Sequence, residues 1–173
     1  FLMPYQHLLT VALLPDATLN LFWCGTLLAV WHAMKNGNWS AWILAGILFG
    51  GALLSKYHAV LMPVCLFGYM VSSPTRRPWL KKPQPYVAGA IGLLVFSPNI
   101  LWNVQHAWVS YAFQLARGSG GPFSIGKLLG GLGVQMAVWS PLIFSLLIAA
   151  FISLIRKDAR NESDRFVIWT SLP

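Results

Sequence analysis

Residues 41–72 form an almost unbroken apolar run, AWILAGILFGGALLSKYHAVLMPVCLFGYMVS, interrupted at its middle by Ser55, Lys56, Tyr57 and His58. As one straight helix it would measure about 48 Å at about 1.5 Å per residue, well beyond a hydrocarbon core of about 30 Å. Lys56 would then sit near the bilayer centre, where a charge costs at least about 2.5–3.5 kcal/mol. The pattern therefore predicts a hairpin that turns at Lys56. Each arm is short for a full span, about 15 residues or 23 Å. Lys56 is expected to lie recessed below the membrane surface, within reach of water or a charged ligand.

The rest of the chain reads around that hairpin. Residues 1–14 resemble the end of one span, and Pro15-Asp16 opens a new helix whose apolar stretch, 17–34, is long enough to cross. Lys35-Asn36-Gly37-Asn38 is a turn, and Trp39 and Trp42 fit an aromatic belt. Residues 73–83 hold four cations and three prolines and cannot be helical throughout. A crossing over 86–102 follows, with Pro98 near its end. Residues 99–121, rich in Trp, Tyr, amides and His106, suit a helix lying in the interface. A Gly-rich piece over 124–135, a further crossing over 136–155, a polar loop to Arg165 and a new span from about Phe166 complete the chain.

Composition agrees with this reading. Of 173 residues, 57% are apolar and 9% charged, too few charges for a water-facing surface. The expected fold is all-α, a polytopic transmembrane helical bundle forming a single domain over 1–173. It would have about five full spans, partial spans at both ends and an outer interfacial segment over about 99–135. Alternating polarity, the mark of a β-barrel, is missing. The chain starts at Phe1 and stops as an apolar segment opens, so it is expected to be part of a longer protein. Cys24 and Cys65 fall within predicted spans and read as buried thiols. The net charge of +8 follows the positive-inside rule and does not point to nucleic acid. The proposed inner loops hold Lys35, Arg76, Arg77, Lys81, Lys82, Arg156, Lys157, Arg160 and Arg165, against Lys56, Arg117 and Lys127 outside. Gly46-xxx-Gly50 and Gly126-xxx-Gly130 permit close helix approach. The sequons at Asn38 and Asn161 lie in loops placed on the cytoplasmic side and are discounted.

The outer side would then gather Asp16, Lys56, Tyr57, His58, Asn103, Gln105 and His106. A transferase acting on a lipid phosphate needs such groups. A carboxylate can take a proton from an acceptor hydroxyl, and a cation can stabilise charge on a phosphate leaving group. Each residue also has a plainer reading. Asp16 suits a helix N-cap. Lys56 suits a helix C-terminus, with a stem that snorkels outward. Tyr57, His58 and His106 suit packing at the interface, and His7 and His32 read as structural. A metal held by the outer His and Asp is compatible with these residue types, but no spacing specifies it. Zinc, P-loop, dinucleotide and Ser–His–Asp signatures are not found in the sequence.

Three stretches carry a family resemblance. LLPDATLNLFW resembles the Pro-Asp helix start of GT-C type membrane glycosyltransferases. GGALLSKYHAVLMP resembles the Lys-Tyr hairpin of the bacterial branch related to dolichyl-phosphate-mannose–protein mannosyltransferases (glycosyltransferase family 39-like). SPNILWNVQHAWVSYAFQL resembles that branch's Trp-Asn-x-x-His-x-Trp-x-Ser segment. Together they cover about residues 10–140 in the expected order. The resemblance implies an inverting glycosyltransferase of a bacterial inner membrane. It would take a sugar from a polyprenyl-phosphate donor and pass it to a lipid, glycan or protein acceptor on the non-cytoplasmic face. The family's principal catalytic acid lies in an outer loop upstream of these residues, so the chain alone is expected to be inactive. Asp16 would match a second acidic position, which supports the acceptor or a divalent metal. Lys56 would contact the donor phosphate, and Asn103 and His106 would line the same cavity. The competing readings are a transporter or flippase subunit, with Lys56 and Asp16 lining the pathway, and a non-catalytic scaffold. A transporter should show paired repeats with broken helices, and no convincing repeat is present.

Overall fold

A computed structural model describes residues 15–118, 124–126, 130–131, 134, 145–146, 148–149, 152–153 and 162–171. The expected crossing over 136–155 and the ends of the predicted partial spans fall largely outside these residues. The described elements are all helical. In chain order they are α1 (Pro15–Asn36), α2 (Trp39–Ser55), a 3₁₀ turn (Tyr57–Val60), α3 (Leu61–Ser72), a second 3₁₀ turn (Arg77–Lys81), α4 (Pro83–Gln105), α5 (Val109–Gly118) and α6 (Glu162–Thr170).

Local chemistry sets these boundaries. Pro15 sits at the start of α1, where its missing N–H has no helical partner to lose. Asp16 in the first turn and Lys35 in the last complement the helix dipole. Gly37, at φ +68°, stops the helix and returns its N–H to the Ala33 carbonyl at 2.9 Å. Asn38 then caps α2 by accepting from the Ser40 N–H at 3.1 Å, so the sequon asparagine is occupied as a helix cap.

α2 lies between α1 and α4 and packs closely on both. The seam with α4 depends on missing side chains. A Cβ at Gly46 would come within 2.5 Å of the Ala88 carbonyl oxygen. One at Gly50 would come within 2.8 Å of the Gly92 carbonyl oxygen. Both obstacles are backbone atoms that no rotamer change can move. The predicted Gly46-xxx-Gly50 motif is thus a helix–helix contact. At Gly126 and Gly130 no other helix approaches among the described residues.

The chain runs antiparallel from helix to helix, so α1, α2, α3 and α4 share two ends. One end carries the turn at Lys56. The other carries the Gly37 turn and the basic loop over 73–82. There Trp79 stacks on Trp42 at 5.4 Å between ring centres, and Trp42 is buried, not part of an exposed belt as the pattern predicted. Arg76 ties three elements together. It donates to the Met34 carbonyl at the end of α1 at 2.7 Å, pairs with Glu162 at the start of α6, and lies over the Trp31 ring. Thr75 also donates to Glu162, and Ser73 donates to Thr75 at 2.9 Å. Arg165 reaches the Ser72 carbonyl, and Phe166 packs between Trp31 and Tyr69.

Among the described residues, two helices, α1 and α4, are long and apolar enough to cross a membrane. α2 has 17 residues and α3 has 12, short of the roughly 20 that a full span needs. The many-span bundle expected from hydropathy is therefore reduced, among the described residues, to two full-length helices and two undersized ones. Large apolar side chains, including Leu21, Leu28, Val64, Phe67 and Leu94, point outward. Cys24 is exposed and Cys65 half-buried, both as free thiols, which corrects the expectation of thiols buried within the protein.

Two predictions follow from this packing. Gly46→Ala should lower stability by about 1–3 kcal/mol through backbone collision, whereas Gly89→Ala, where a Cβ meets open space, should raise it by about 0.4–1 kcal/mol. Thermal unfolding in detergent checks the contrast. The hydrogen bond from Thr75 is the largest influence on the Glu162 carboxyl; burial opposes it, and the hydrogen bond and charge of Arg76 add to it, so the carboxyl is held below its ordinary value of 4.5. A depressed folded pKa stabilises above the unfolded value and is lost as pH falls through the folded one. The protection of the α6 amides, taken relative to their intrinsic exchange rate at each pH, should therefore fall as the pH drops below about 4.5. Glu162→Gln should exchange faster at neutral pH and lose that acid dependence.

Candidate functional site

Pro63 lies in the first turn of α3, where its lack of an N–H costs nothing. α2 ends at Ser55, whose hydroxyl bonds back to the Gly51 carbonyl at 2.9 Å. Lys56 takes an extended conformation, φ −159° and ψ 136°, and its N–H still caps the Ala52 carbonyl at 3.0 Å. The 3₁₀ turn Tyr57–Val60 then redirects the chain into α3. The side chain at 56 is thrown to the outside of the bend.

Asp16 meets it there. The Lys56 ammonium donates to Asp16 Oδ1 at 2.5 Å, joining residues 40 positions apart. The carboxylate occupies the second position of α1, in its first turn. It is therefore not the N-cap that the plainer reading supposed, although it benefits from the same positive helix end. The ammonium occupies the carbonyl end of α2, which favours a cation. The side chains are 40% and 36% exposed for Lys56 and Asp16. The pair is open to a ligand from outside the protein. An ion pair this exposed contributes about 0–1 kcal/mol, so a stronger anion can replace the carboxylate at the ammonium at little cost.

Beside the pair, Tyr57 packs on Phe96 and Tyr111, with ring centres 6.3 and 5.1 Å away. Asn99 links the two tyrosines. Its amide faces the Tyr57 hydroxyl at 3.4 Å, and its carbonyl oxygen accepts from the Tyr111 hydroxyl at 3.2 Å. Burial, with a smaller contribution from Tyr57, pushes the Tyr111 hydroxyl above its ordinary pKa, so it remains a neutral donor. Asn103, one turn along α4, is 0% exposed. Its amide donates to the Asn99 backbone carbonyl and side-chain oxygen at 3.0 and 3.2 Å, and its own oxygen accepts from the Ser110 N–H at 3.3 Å. Asn103 thus sits beneath the corner between α4 and α5 and does not face an opening. Ala107 and Trp108, both with positive φ, make that corner. The stretch over 99–121 is accordingly divided: its first part completes α4, and only its second part forms the separate, strongly one-sided helix α5.

His106 is exposed and stacks on Trp102 at 4.1 Å. Its Nδ1–H donates to the Trp102 carbonyl at 2.7 Å, which fixes the orientation of the ring. His58 is exposed on the 3₁₀ turn, and Gln105 is exposed near His106. His32, at the opposite end of α1, bonds Asn36. The structure therefore brings Asp16, Lys56 and Tyr57 into one cluster, joined through Asn99 to Asn103 and Tyr111. Asn99 and Tyr111 were not singled out from sequence. The signal for Asn99 was its spacing, one helical turn before Asn103 on an otherwise apolar helix.

A metal does not fit this donor set. Asp16 already faces a cation, and among the described residues no three of His, Cys, Asp or Glu come together. The basic loop residues Lys35, Arg76, Arg77, Lys81 and Lys82 lie at the opposite end, so Lys56 and Asp16 stand apart from the main positive charge.

The family described as dolichyl-phosphate-mannose-protein mannosyltransferase matches residues 2–102, a stretch that contains Asp16, Lys56, Tyr57, His58 and Asn99. The chain belongs to that family. Among individual proteins, the chain is 24% identical over 173 residues to the lipid A galacturonosyltransferase RgtD of Rhizobium johnstonii. That alignment covers 99% of this chain and 36% of the relative, so the chain spans little more than a third of that protein. No solved structure matches it.

Proposed function

We propose that this chain is the central membrane portion, one domain of several spans, of a glycosyltransferase of the bacterial inner membrane. It takes a sugar from a polyprenyl-phosphate donor and passes it to a hydroxyl of a lipid, glycan or protein acceptor. The end bearing Asp16 and Lys56 faces away from the cytoplasm, because the cation-rich loop at the other end belongs inside. The observation that carries the reading is the exposed Lys56–Asp16 pair at a helix break, in a family of glycosyltransferases. The name of RgtD makes a lipid the first acceptor to try.

In the reaction the acceptor oxygen attacks the anomeric carbon from the side opposite the phosphate. The C–O bond to the phosphate breaks, its electron pair stays on the phosphate, and the acceptor proton is lost to a base. Lys56 stabilises the charge that grows on the departing phosphate. Its exchange from Asp16 to the donor phosphate frees the carboxylate to orient the acceptor hydroxyl. Tyr57, His58 and His106 line the approach, and Asn103 positions Tyr57 through Asn99.

In the full-length protein, Lys56→Ala should lower kcat/KM for the lipid-linked donor by about 10²–10³-fold. Asp16→Asn should lower kcat by about tenfold or more with thermal stability little changed. The double exchange Asp16→Lys with Lys56→Asp keeps an ion pair and should stay inactive. Full activity in both single variants would remove the site, and recovery in the exchanged protein would reduce the pair to a structural strut.

A further inference from the structure

A second hollow lies away from the ion pair, between α2, α3 and α4. It has a volume of about 470 Å³, within the range of ligand pockets, and its lining is almost wholly apolar. Ala45, Gly46 and Gly89 leave its floor bare, while Met62, Leu66 and Phe67 of α3 wall it. Toward the basic end it is bordered by Trp42, Leu80, Pro85 and Tyr86.

Three features of that end specify an occupant. Leu80 and Pro85, which line the hollow, bracket the exposed pair Lys81-Lys82 in the chain. Neither lysine forms an ion pair among the described residues, whereas Glu162 is taken by Arg76. The Lys82 ammonium sits 3.9 Å over the ring of Trp79, which itself stacks on Trp42. Finally, the Trp42 Nε1–H is buried and has no hydrogen-bond acceptor among the described residues, and Trp42, only 3% exposed, lines the hollow. A buried donor without a partner is costly, and an acceptor supplied by a ligand removes that cost.

We infer that this hollow binds one anionic phospholipid. An acyl chain fills the apolar groove, an ester carbonyl accepts from Trp42, and the phosphate lies against Lys81 and Lys82. The order of these groups along the groove matches their order along a lipid at a membrane face: apolar chain, neutral acceptor, then anion. Basic pockets between helices attract anionic lipid headgroups in this way. The inference rests on the membrane reading proposed above but not on the sugar-transfer chemistry at the far end.

The test is lipid retained by the full-length protein purified in mild detergent, counted by native mass spectrometry. Added phosphatidylglycerol, phosphatidylcholine and polyprenyl phosphate serve as competing probes. One phosphatidylglycerol should be retained in preference to the other two. Gly89→Leu, which places a side chain in open space on the floor, should lose it while keeping wild-type sugar transfer. Trp42→Phe should retain it about two- to tenfold more weakly. Lys81→Gln with Lys82→Gln should abolish the preference over phosphatidylcholine. Unchanged retention in Gly89→Leu overturns the inference. So does preferential capture of polyprenyl phosphate, which would make the hollow part of the donor site. A cross-link from Gly89→Cys to another segment of the same chain would also overturn it. Lipid loss in Gly89→Leu combined with full transfer by Lys56→Ala would leave this site standing and remove the proposed catalytic one.

Discussion

An ammonium in an apolar hairpin has few places to go, and the fold is arranged around where it goes. The run does not form a single helix: α2 ends at Ser55 and Lys56 is extended, so the chain bends at residue 56. The bend turns Lys56 outward, and Asp16, brought in by the start of α1, meets it. Two helix ends of opposite dipole sign thus converge, each carrying the charge that its dipole favours. The arrangement holds a cation in place while leaving it exposed and weakly committed, which is the condition under which an anionic ligand can compete for it.

The remaining packing keeps that meeting point in register. α1 and α4 sit on opposite sides of α2, and the bare backbone at Gly46 and Gly50 fixes how closely α4 approaches. At the far end, Arg76 clamps the end of α1, the basic loop and α6. Near the site, the Asn99–Asn103 pair stops α4 and bends the chain so that Tyr111 returns over Tyr57. The two ends therefore differ in kind. One has a single exposed cation with a carboxylate and tyrosines, and the other has a cluster of lysines and arginines around tryptophan.

The features most legible in the sequence were those with a large local energetic cost. A lysine inside an apolar run and an isolated acid after Pro15 each exclude most alternatives, and the chain does turn at residue 56, with Asp16 in the first turn of α1. The glycine spacing of α2 was legible for a similar reason, since close approach demands a missing Cβ. Long-range or rotational features were not legible. Nothing local distinguishes Trp42, buried on Trp79, from Trp39, which remains exposed. Cys24 is exposed because of the face it occupies on α1, which hydropathy cannot resolve. The pairing of Arg76 with Glu162 spans 86 positions and has no signature in either loop. Aromatic content suggested an interfacial helix from residue 99, but backbone continuity carries α4 to Gln105, and the hydrogen bonds of Asn103 decide where it stops.

The central claim is that one ammonium serves two anions in turn, the Asp16 carboxylate at rest and a lipid phosphate when donor is bound. Solid-state NMR on the full-length protein in lipid, with ¹⁵N at lysine side chains and ¹³C at aspartate carboxyls, measures this directly. Without donor, the Lys56 nitrogen should couple to the Asp16 carboxyl at contact distance. With a polyprenyl-phosphate sugar added, that coupling should fall and a ¹⁵N–³¹P coupling from Lys56 should appear. A carboxyl coupling that persists unchanged, with no phosphorus coupling at saturating donor, would contradict the account.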